Sequence, residues 1–304
     1  MSSKHVAVLL GGWSAEREVS LRSGNDCADA AERCGYRVTR VDVGRDIAEV
    51  LTRVKPDVAL NLLHGPFGED GCIQGLLELL GIPYSHSGVL GSSLAMQKDV
   101  AKSVIAAAGI PVAAVVTLPR AEVAKKHAMP TRYVIKPVAD GSSVGVTEAH
   151  ADPPQELHRE DWPYGERLLV EKYVAGKELT GAVMGDRVLD VTEIVPDTGF
   201  YDYTAKYSKG GSKHIVPAPI LPFVYQEVRR LTLAAHRALG CRGVSRADFR
   251  YDDRIEGLGG LVCLEVNTQP GMTETSLVPE LALHAGITFD ELVRWMVEDA
   301  SLGR

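Results

Sequence analysis

Long uninterrupted apolar runs are absent from this sequence of 304 residues. The most apolar stretch, residues 104–116, is interrupted by Gly109 and Pro111, whereas a membrane-spanning helix needs about 20 consecutive apolar residues. The apolar run after the first five residues is too short for a secretory signal. We therefore expect a cytoplasmic protein that does not act in a membrane.

Cysteine is scarce, and its spacing shows no pairing pattern. The five residues are Cys27, Cys34, Cys72, Cys241 and Cys263. Their number is odd and no two of them form a C-x-x-C pair, so we expect neither a disulfide framework nor a cysteine zinc site. This usage is typical of a reduced cytosolic protein.

An excess of positive charge is also missing. The chain carries 33 Lys and Arg against 40 Asp and Glu, a formal net charge of -7. This balance argues against nucleic acid or an anionic membrane as the main partner. It does not exclude a small phosphate-bearing ligand, because a few lysines can determine the potential inside one cleft.

The N-terminal part of the chain alternates apolar runs with segments of helical spacing. Runs at 6–10, 36–43 and 56–63 predict buried parallel strands, and segments 14–34 and 72–80 predict helices. Such alternation is typical of a doubly wound α/β domain, in which ligands bind at the carboxyl ends of the strands. The Gly11-Gly12 turn lacks the G-x-G-x-x-G spacing, so a dinucleotide site is not favoured. The length of the chain suggests two or three domains.

Three polar residues fall at this ligand-facing edge, Glu16, Ser20 and His64. Of these, Glu16 begins the first helix and His64 follows the third strand. Glu16 and His64 each have a structural alternative, since an acidic residue suits the first turn of a helix and a loop histidine can be fixed by hydrogen bonds. The residues alone leave both alternatives open.

A change of composition at 88–95 marks the first predicted domain boundary. A lysine-bearing helix is predicted over 94–108, closed by Gly109 and Pro111. Lys98 and Lys102 are four residues apart and share one face of it. We expect Lys102 to be solvated at the surface.

A glycine- and serine-rich loop at 140–145 follows a strand that ends at Lys136. It is not a Walker A loop, and although 141–145 match G-x-S-x-G with Ser143, that hydrolase elbow opens a helix, whereas here a second β-like run follows. A flap whose backbone N-H groups and hydroxyls cover phosphates fits better. A plain surface hairpin remains the alternative.

Two glutamates and a lysine-rich segment suggest the rest of a nucleotide site. Glu171 ends an apolar run and is placed to accept a hydrogen bond from an exocyclic amine, whereas Glu178 can accept from ribose hydroxyls. Gly176, between them, is the second predicted boundary. Residues 197–213 are dense in Tyr, Gly and Lys, which favours a mobile lid over the site.

A predicted hairpin at 244–267, with its loop at 252–260, carries the metal candidates. If it is symmetric, Asp248 lies opposite Glu265 and Arg246 lies opposite Asn267. Facing carboxylates repel each other, and a cation between them relieves the repulsion. An all-oxygen set suits Mg²⁺, with a solvated charged hairpin as the alternative.

Together these segments resemble the ATP-grasp ligases, and in detail the D-alanine-D-alanine ligase family, over nearly the whole chain. The resemblance is carried by Leu-Leu-Gly-Gly-Trp-Ser-Ala-Glu-Arg-Glu-Val-Ser at 9–20, His-Gly-Pro-Phe-Gly-Glu-Asp-Gly at 64–71, the lysine strand and flap at 134–145, Phe-Tyr-Asp-Tyr-Thr-Ala-Lys-Tyr at 200–207, residues 243–248, and Glu-Val-Asn-Thr-Gln-Pro-Gly-Met-Thr at 265–273.

The resemblance implies an α/β fold, with an N-terminal doubly wound domain (1–94) followed by two α+β ATP-grasp subdomains (95–177 and 178–304). The implied reaction phosphorylates one D-alanine to an acyl phosphate, which the amine of a second D-alanine attacks. D-alanyl-D-alanine, ADP and phosphate result, and the dipeptide is used for peptidoglycan synthesis. ATP is the co-substrate, and two Mg²⁺ ions, replaceable by Mn²⁺, are the cofactors.

Site residues are implied by the same resemblance. Catalytic roles fall to Glu16, Ser142, Tyr207, Arg246 and Gly271. D-alanine is bound by Glu16, His64, Ser276 and Leu277. ATP is bound by Lys98, Lys136, Ser143, Glu171, Lys172, Val174, Glu178 and Lys206. The metal ligands are Asp248, Glu265 and Asn267.

The same resemblance implies the second substrate and the oligomeric state, and three alternative functions remain beside it. Tyr207 in the lid goes with dipeptide synthesis, so D-alanine is expected as the second substrate, and family members are usually homodimers. The rivals are an ATP-grasp ligase for another acid or amine, a serine hydrolase using Ser143, and a non-catalytic nucleotide-binding regulator.

Overall fold

A computed structural model of the chain describes residues 4–139, 146–149, 155–159, 161–196, 211–273 and 275–304. This part of the chain forms a three-stranded parallel sheet, then a four-stranded and a five-stranded antiparallel sheet. The predicted α/β class is confirmed. The domain limits at residues 94 and 177 stay a prediction.

Helices cover both faces of the parallel sheet. Its strands are β1 (His5–Leu10), β2 (Arg37–Asp42) and β3 (Val58–Asn61), in the order β2-β1-β3. The helices are α1 (Arg17–Arg33), α2 (Ile47–Val54) and α3 (Cys72–Leu80). Val8 on β1 packs in one core cluster with Ala28 of α1, whereas the next residue, Leu9, packs in another with Leu51 and Leu77. Side chains alternate across a strand, so both faces are buried and the doubly wound prediction is confirmed.

The helix predicted over 94–108 is wrong as a single element. Two helices replace it, α4 (Val89–Met96) and α5 (Lys98–Ala107). Gln97 between them is extended, with φ -86° and ψ 91°. The Lys98 N-H therefore has no helical partner and donates instead to the Val138 carbonyl, 2.9 Å away. The break fixes Lys98 beside the strand that carries Lys136.

The four-stranded sheet holds three of the nucleotide candidates, Lys136, Glu171 and Lys172. Its strands are β4 (Val115–Pro119), β5 (Tyr133–Pro137), β6 (Thr147–Ala149) and β7 (Arg167–Lys172), with α6 (Arg120–Val123) beside β4, and the order is β4-β7-β5-β6. β5 and β6 pair antiparallel. The predicted strand after the glycine-serine loop is thus confirmed, and a strand-to-helix hydrolase elbow around Ser143 does not fit this connection.

The five-stranded sheet carries the predicted hairpin. Its strands are β8 (Lys177–Met184), β9 (Arg187–Pro196), β10 (Ser212–Ile215), β11 (Val244–Tyr251) and β12 (Leu261–Asn267), in the order β10-β9-β8-β11-β12. α7 (Pro222–Ala238) packs on it through Val228 and Leu231. The last helices, α8 (Leu277–His284) and α9 (Phe289–Asp299), share a core with β1 and α1. This shared core brings the end of the hairpin against the N-terminal sheet.

All five cysteines lie in the described part of the chain and are free. Within that part, no helix combines the length and the apolarity that crossing a membrane requires.

His236 on α7 is expected to make stability depend on pH. It is buried and hydrogen-bonded to Ser245 Oγ at 2.7 Å, and burial lowers its pKa from 6.5 to about 4. Between these values the unfolded state binds more protons, so stability falls as the pH decreases through this window. We expect His236→Gln to remove up to about 3 kcal/mol of this dependence, measured by urea unfolding at several pH values across the window. The exposed His158→Gln should keep the parental dependence, and equal behaviour of both variants would show His236 to be charged in the folded state.

Candidate active site

The hairpin of β11 and β12 pairs in the predicted register. Asp248 lies opposite Glu265 and Arg246 lies opposite Asn267. The pairing then shifts, because Phe249 lies opposite Cys263, which leaves an extra residue on β12. A bulge of this kind re-aims side chains. Here it follows directly after the acidic pair.

Arg246 is the cation that holds Asp248. Its Nε and a terminal nitrogen donate to the two carboxylate oxygens at 2.9 and 2.8 Å. Thr180 Oγ1 donates to the same carboxylate at 2.7 Å. Asp248 is only 7% exposed, so the fork stabilises a buried charge that lies opposite another carboxylate.

The oxygen donors at this end of the hairpin fit a hard divalent cation. Asp248 and Glu265 offer carboxylates, and the Asn267 side-chain oxygen is oriented by the Gln269 N-H at 2.8 Å. Within the described ranges, no three His, Cys, Asp or Glu side chains converge as a metal-binding group. The candidate set is thus two carboxylates and one amide, which is typical of Mg²⁺ that completes its shell with water and phosphate.

A cavity of about 180 Å³ lies between the hairpin and the segments that follow β1 and β3 of the parallel sheet. Nine residues predicted from separate segments line it. They are Glu16, His64, Lys98, Arg246, Glu265, Asn267, Gly271, Ser276 and Leu277. The tertiary structure therefore brings these nine residues, which lie in separate segments of the sequence, to one cavity.

The N-terminal wall of the cavity is tied together through Ser14. Its Oγ donates to the His64 carbonyl at 2.6 Å and accepts from the Glu16 N-H at 3.2 Å. Gly65 has φ +72°, and a Cβ there would lie 2.8 Å from Glu16 Oε2. Only glycine permits this approach. Burial lowers the pKa of His64 to about 4, so its imidazole is neutral.

Glu69 lines the same cavity and is not among the residues predicted from the sequence. Its carboxylate accepts from the Gly65 N-H. Burial, and then the charge of Glu16, raise the pKa of Glu69 well above the usual range. Its place in the loop at 64–71 was the available signal, but its closeness to Glu16 comes only from folding. Arg22 and His214 also line the cavity without having been predicted.

The start of α8 lines the same cavity. Ser276 is the N-cap residue and Leu277 the first helical residue, where backbone N-H groups have no helical partner and attract carboxylates. Ser276 Oγ accepts from the Thr273 N-H at 3.1 Å. A Cβ on Gly271 would lie 3.2 Å from that oxygen, so the glycine lets the strand end approach the helix closely.

Four of the nucleotide candidates lie on β5, β7 and β8, namely Lys136, Glu171, Lys172 and Glu178. Lys98 begins α5, and Val174 lies between β7 and β8. Lys136 Nζ is 2.6 Å from Glu171 Oε2, so a phosphate candidate and an adenine candidate are in direct contact. Arg250 donates to the Val174 carbonyl at 3.0 Å and to Glu178 at 3.3 Å. Lys172 is exposed beside them.

The prediction that Lys102 is solvated is wrong. Lys102 is 3% exposed, and its Nζ forms an ion pair with Glu171 Oε1. It follows Ala101 on α5 and belongs to the side of that helix that packs inward with Ile105. Burial acts to raise the pKa of Glu171, but Lys136 and Lys102 outweigh it and the pKa is lowered.

Four of the predicted site residues lie outside the described residues. They are Ser142, Ser143, Lys206 and Tyr207. Most of the proposed lid at 197–213 lies there too, and only its end falls in the described ranges, where Ser212 and Lys213 belong to β10. The roles of these residues stay predictions.

Comparison with protein families gives two matches. Residues 46–87 match the family described as D-ala D-ala ligase N-terminus, and residues 104–298 match D-ala D-ala ligase C-terminus. The D-alanine--D-alanine ligase of Rhodopseudomonas palustris (strain BisB18) is 77% identical over 304 residues, covering 99% of both chains.

Solved structures give a consistent picture. A D-alanine--D-alanine ligase from Bacillus anthracis complexed with ATP has a TM-score of 0.80 at 26% identity, with 98% of this chain and 97% of that chain covered. A D-Ala:D-Ser ligase from Enterococcus faecalis has a TM-score of 0.80 at 30% identity, with 98% and 99% covered.

Proposed function

This chain belongs to the D-alanine-D-alanine ligase family, and from that membership we propose how its cavity joins two D-alanines with ATP. The carboxylate of the first D-alanine is phosphorylated, and the amine of the second displaces phosphate to form the dipeptide used in peptidoglycan synthesis. The observation that carries the proposal is the convergence of nine predicted residues on one cavity.

Glu16 holds the ammonium of the first D-alanine. Its carboxylate is 5% exposed at the cavity wall, and a buried carboxylate favours a cation as its partner. His64 is neutral and adjacent, so it does not compete with the substrate for the negative charge. The first amino acid is thereby oriented with its own carboxylate toward Arg246 and the hairpin.

Ser276 and Leu277 receive the carboxylate of the second D-alanine. The Leu277 N-H in the first turn of α8 and the Ser276 hydroxyl supply donors at the cavity wall. Binding the carboxylate there leaves the amine of the second D-alanine directed toward the first. The amine of the second D-alanine is then held next to the activated carboxyl of the first, so their reaction does not depend on a diffusional encounter.

Arg246 stabilises the negative charge that develops when the amine attacks the acyl phosphate, with the Gly271 N-H as a second donor. Arg246 lines the cavity while it also holds Asp248. Its guanidinium has enough donors to serve both groups, or it turns from Asp248 toward the substrate oxygen when that carboxylate gains another cation.

ATP lies between the two antiparallel sheets. Lys98 and Lys136, together with the predicted Lys206 and Ser143, bind its phosphates. Glu171, Lys172 and Val174 bind the adenine, and Glu178 binds the ribose. The pairing of Val134 on β5 with Glu171 on β7 supports this, because it places the adenine acceptor beside the lysine strand.

Asp248, Glu265 and Asn267 would hold the two Mg²⁺ ions, or Mn²⁺ in their place. When bound, these ions neutralise phosphate charge and make the phosphate a better leaving group. The chain's own contribution is to fix the three oxygen donors at the end of one rigid hairpin.

Closure of the site rests on residues outside the described ranges. We propose that Ser142 and Tyr207 hydrogen-bond to Glu16 and so link the flap, the lid and the N-terminal domain. Closure excludes water, which would otherwise hydrolyse the acyl phosphate. We also propose a cytoplasmic homodimer.

The substrate assignment is tested by ADP release. We expect ADP formation with ATP and D-alanine and little with L-alanine. The first amino acid is fixed by its ammonium on Glu16 and by its carboxylate directed toward Arg246, so the L-enantiomer would have its methyl group and its hydrogen in exchanged places. D-lactate and D-serine are the informative second substrates at neutral pH. Equal or better turnover of D-alanine with D-lactate than with a second D-alanine would contradict dipeptide synthesis, and preference for D-serine would change the second substrate.

A further inference from the structure

Glu171 is one buried carboxylate with two lysines, of which Lys102 is buried and Lys136 is mostly buried. Its side chain is 2% exposed, and each of its oxygens contacts a different lysine, Oε1 with Lys102 of α5 and Oε2 with Lys136 of β5. One cation is enough to neutralise one carboxylate. Burying a second ammonium carries a desolvation cost, so the second lysine calls for a reason beyond the charge balance of Glu171.

The two lysines differ in their surroundings. Lys102 is 3% exposed and Lys136 is 12% exposed. Lys136 also feels the charges of Glu265 and Glu178, the carboxylates assigned to the metal and to the ribose. Lys102 instead lies on α5, on the side of the helix where Ala101 and Ile105 belong to a buried core cluster. Lys136 therefore faces the nucleotide side, whereas Lys102 faces the interior.

We propose that Lys102 is the resident counter-ion of Glu171, which allows Lys136 to leave that carboxylate and bind the ATP phosphates. The proposal rests on the assignment of Lys136 and Glu171 to the ATP site. In the free protein both lysines hold Glu171. When ATP is bound, Lys136 turns to the phosphates, and Lys102 keeps Glu171 ionised and oriented as an acceptor for the adenine amine. Lys102 is thus a positioning residue that touches no substrate.

Loss of Lys102 should therefore affect nucleotides according to their phosphates. In Lys102→Met, Lys136 is the remaining counter-ion of Glu171, and moving it to a phosphate would leave a buried carboxylate unpaired. Adenosine has no phosphates to attract Lys136, so in Lys102→Met the ion pair between Lys136 and Glu171 stays intact when adenosine binds. A purely structural role of Lys102 would weaken the binding of ATP and adenosine alike.

The experiment compares the Kd values of ATP and adenosine by isothermal titration of the full chain, with Lys126→Met as an exposed-lysine control. We expect Lys102→Met to raise the Kd of ATP by about 10- to 100-fold and that of adenosine by less than about threefold. Lys126→Met should match the parent. An equal rise for both ligands, or no rise for ATP, would overturn the proposal.

Two further variants test the proposal even if Lys102→Met alone does not fold. They are Glu171→Gln and the double variant that combines it with Lys102→Met. Glu171→Gln keeps an acceptor oxygen and removes the charge, so Lys102 has no counter-ion role in that background. Adding Lys102→Met to Glu171→Gln should then change the Kd of ATP by less than about threefold. A tenfold or larger further loss would overturn the proposal. Failure of the proposed function would appear separately, as absence of D-alanine-dependent ADP release by the parent protein.

Discussion

Replacing Arg246 with alanine is expected to lower kcat by about 10²- to 10³-fold while the Kd of ATP stays within about threefold of the parent. The proposed role of Arg246 is to stabilise charge that appears only after the nucleotide is bound and the acyl phosphate is attacked. Losing a donor used only in the transition state reduces kcat rather than ground-state binding. The measurement is D-alanine-dependent ADP release together with ATP titration.

The fork between Arg246 and Asp248 adds a second readout. In Arg246→Ala, Asp248 keeps Thr180 but loses its cation, so the concentration of Mg²⁺ for half-maximal ATP binding should not rise. Arg254→Ala is the matched control, because Arg254 forms the same fork on Asp252, at 2.8 and 2.8 Å, in the hairpin loop. A turnover within a few-fold of the parent, or an equal loss in Arg254→Ala, would remove Arg246 from the oxyanion role.

Replacing Asp248 with asparagine is expected to lower kcat by at least about 10²-fold and to raise the Mg²⁺ requirement. The change removes one of the two carboxylates proposed to hold the ions, and hard cations bind a neutral amide less well than a carboxylate. It also removes the negative charge that Arg246, whose side chain is 13% exposed, holds in its fork. The measurement is ADP release across a Mg²⁺ titration, repeated with Mn²⁺.

Asp252, in the loop of the same hairpin, provides the control for Asp248→Asn. Asp252→Asn removes a similarly buried charge from a similar arginine fork, so both substitutions perturb an ion pair of the same hairpin. Only Asp248→Asn should change the metal dependence. If high Mg²⁺ restores neither variant and both lose activity equally, the effect comes from the fold of the hairpin, and Asp248 is not a metal ligand.

Arg246 and Asp248 can both be identified as site candidates from the sequence, but the contacts between them cannot. The alternation along 244–251 placed Arg246 and Asp248 on one face, and the hairpin register followed from the position of the loop. The fork between them was not foreseen, because a repulsive pair of carboxylates can be relieved by any nearby cation. Strand periodicity does not show whether that cation is an arginine side chain or a metal ion.

The sequence by itself determined the α/β class, the parallel N-terminal sheet, the hairpin and nine of the residues that line the cavity. These follow from local periodicity and short motifs, which act over a few neighbouring residues. Only the tertiary structure decided that the helix over 94–108 breaks at Gln97, that Lys102 is buried on Glu171, and that Glu69 lies beside Glu16. Each of these depends on which distant surfaces pack together, and burial changes the free energy of a charge far more than its sequence neighbours do.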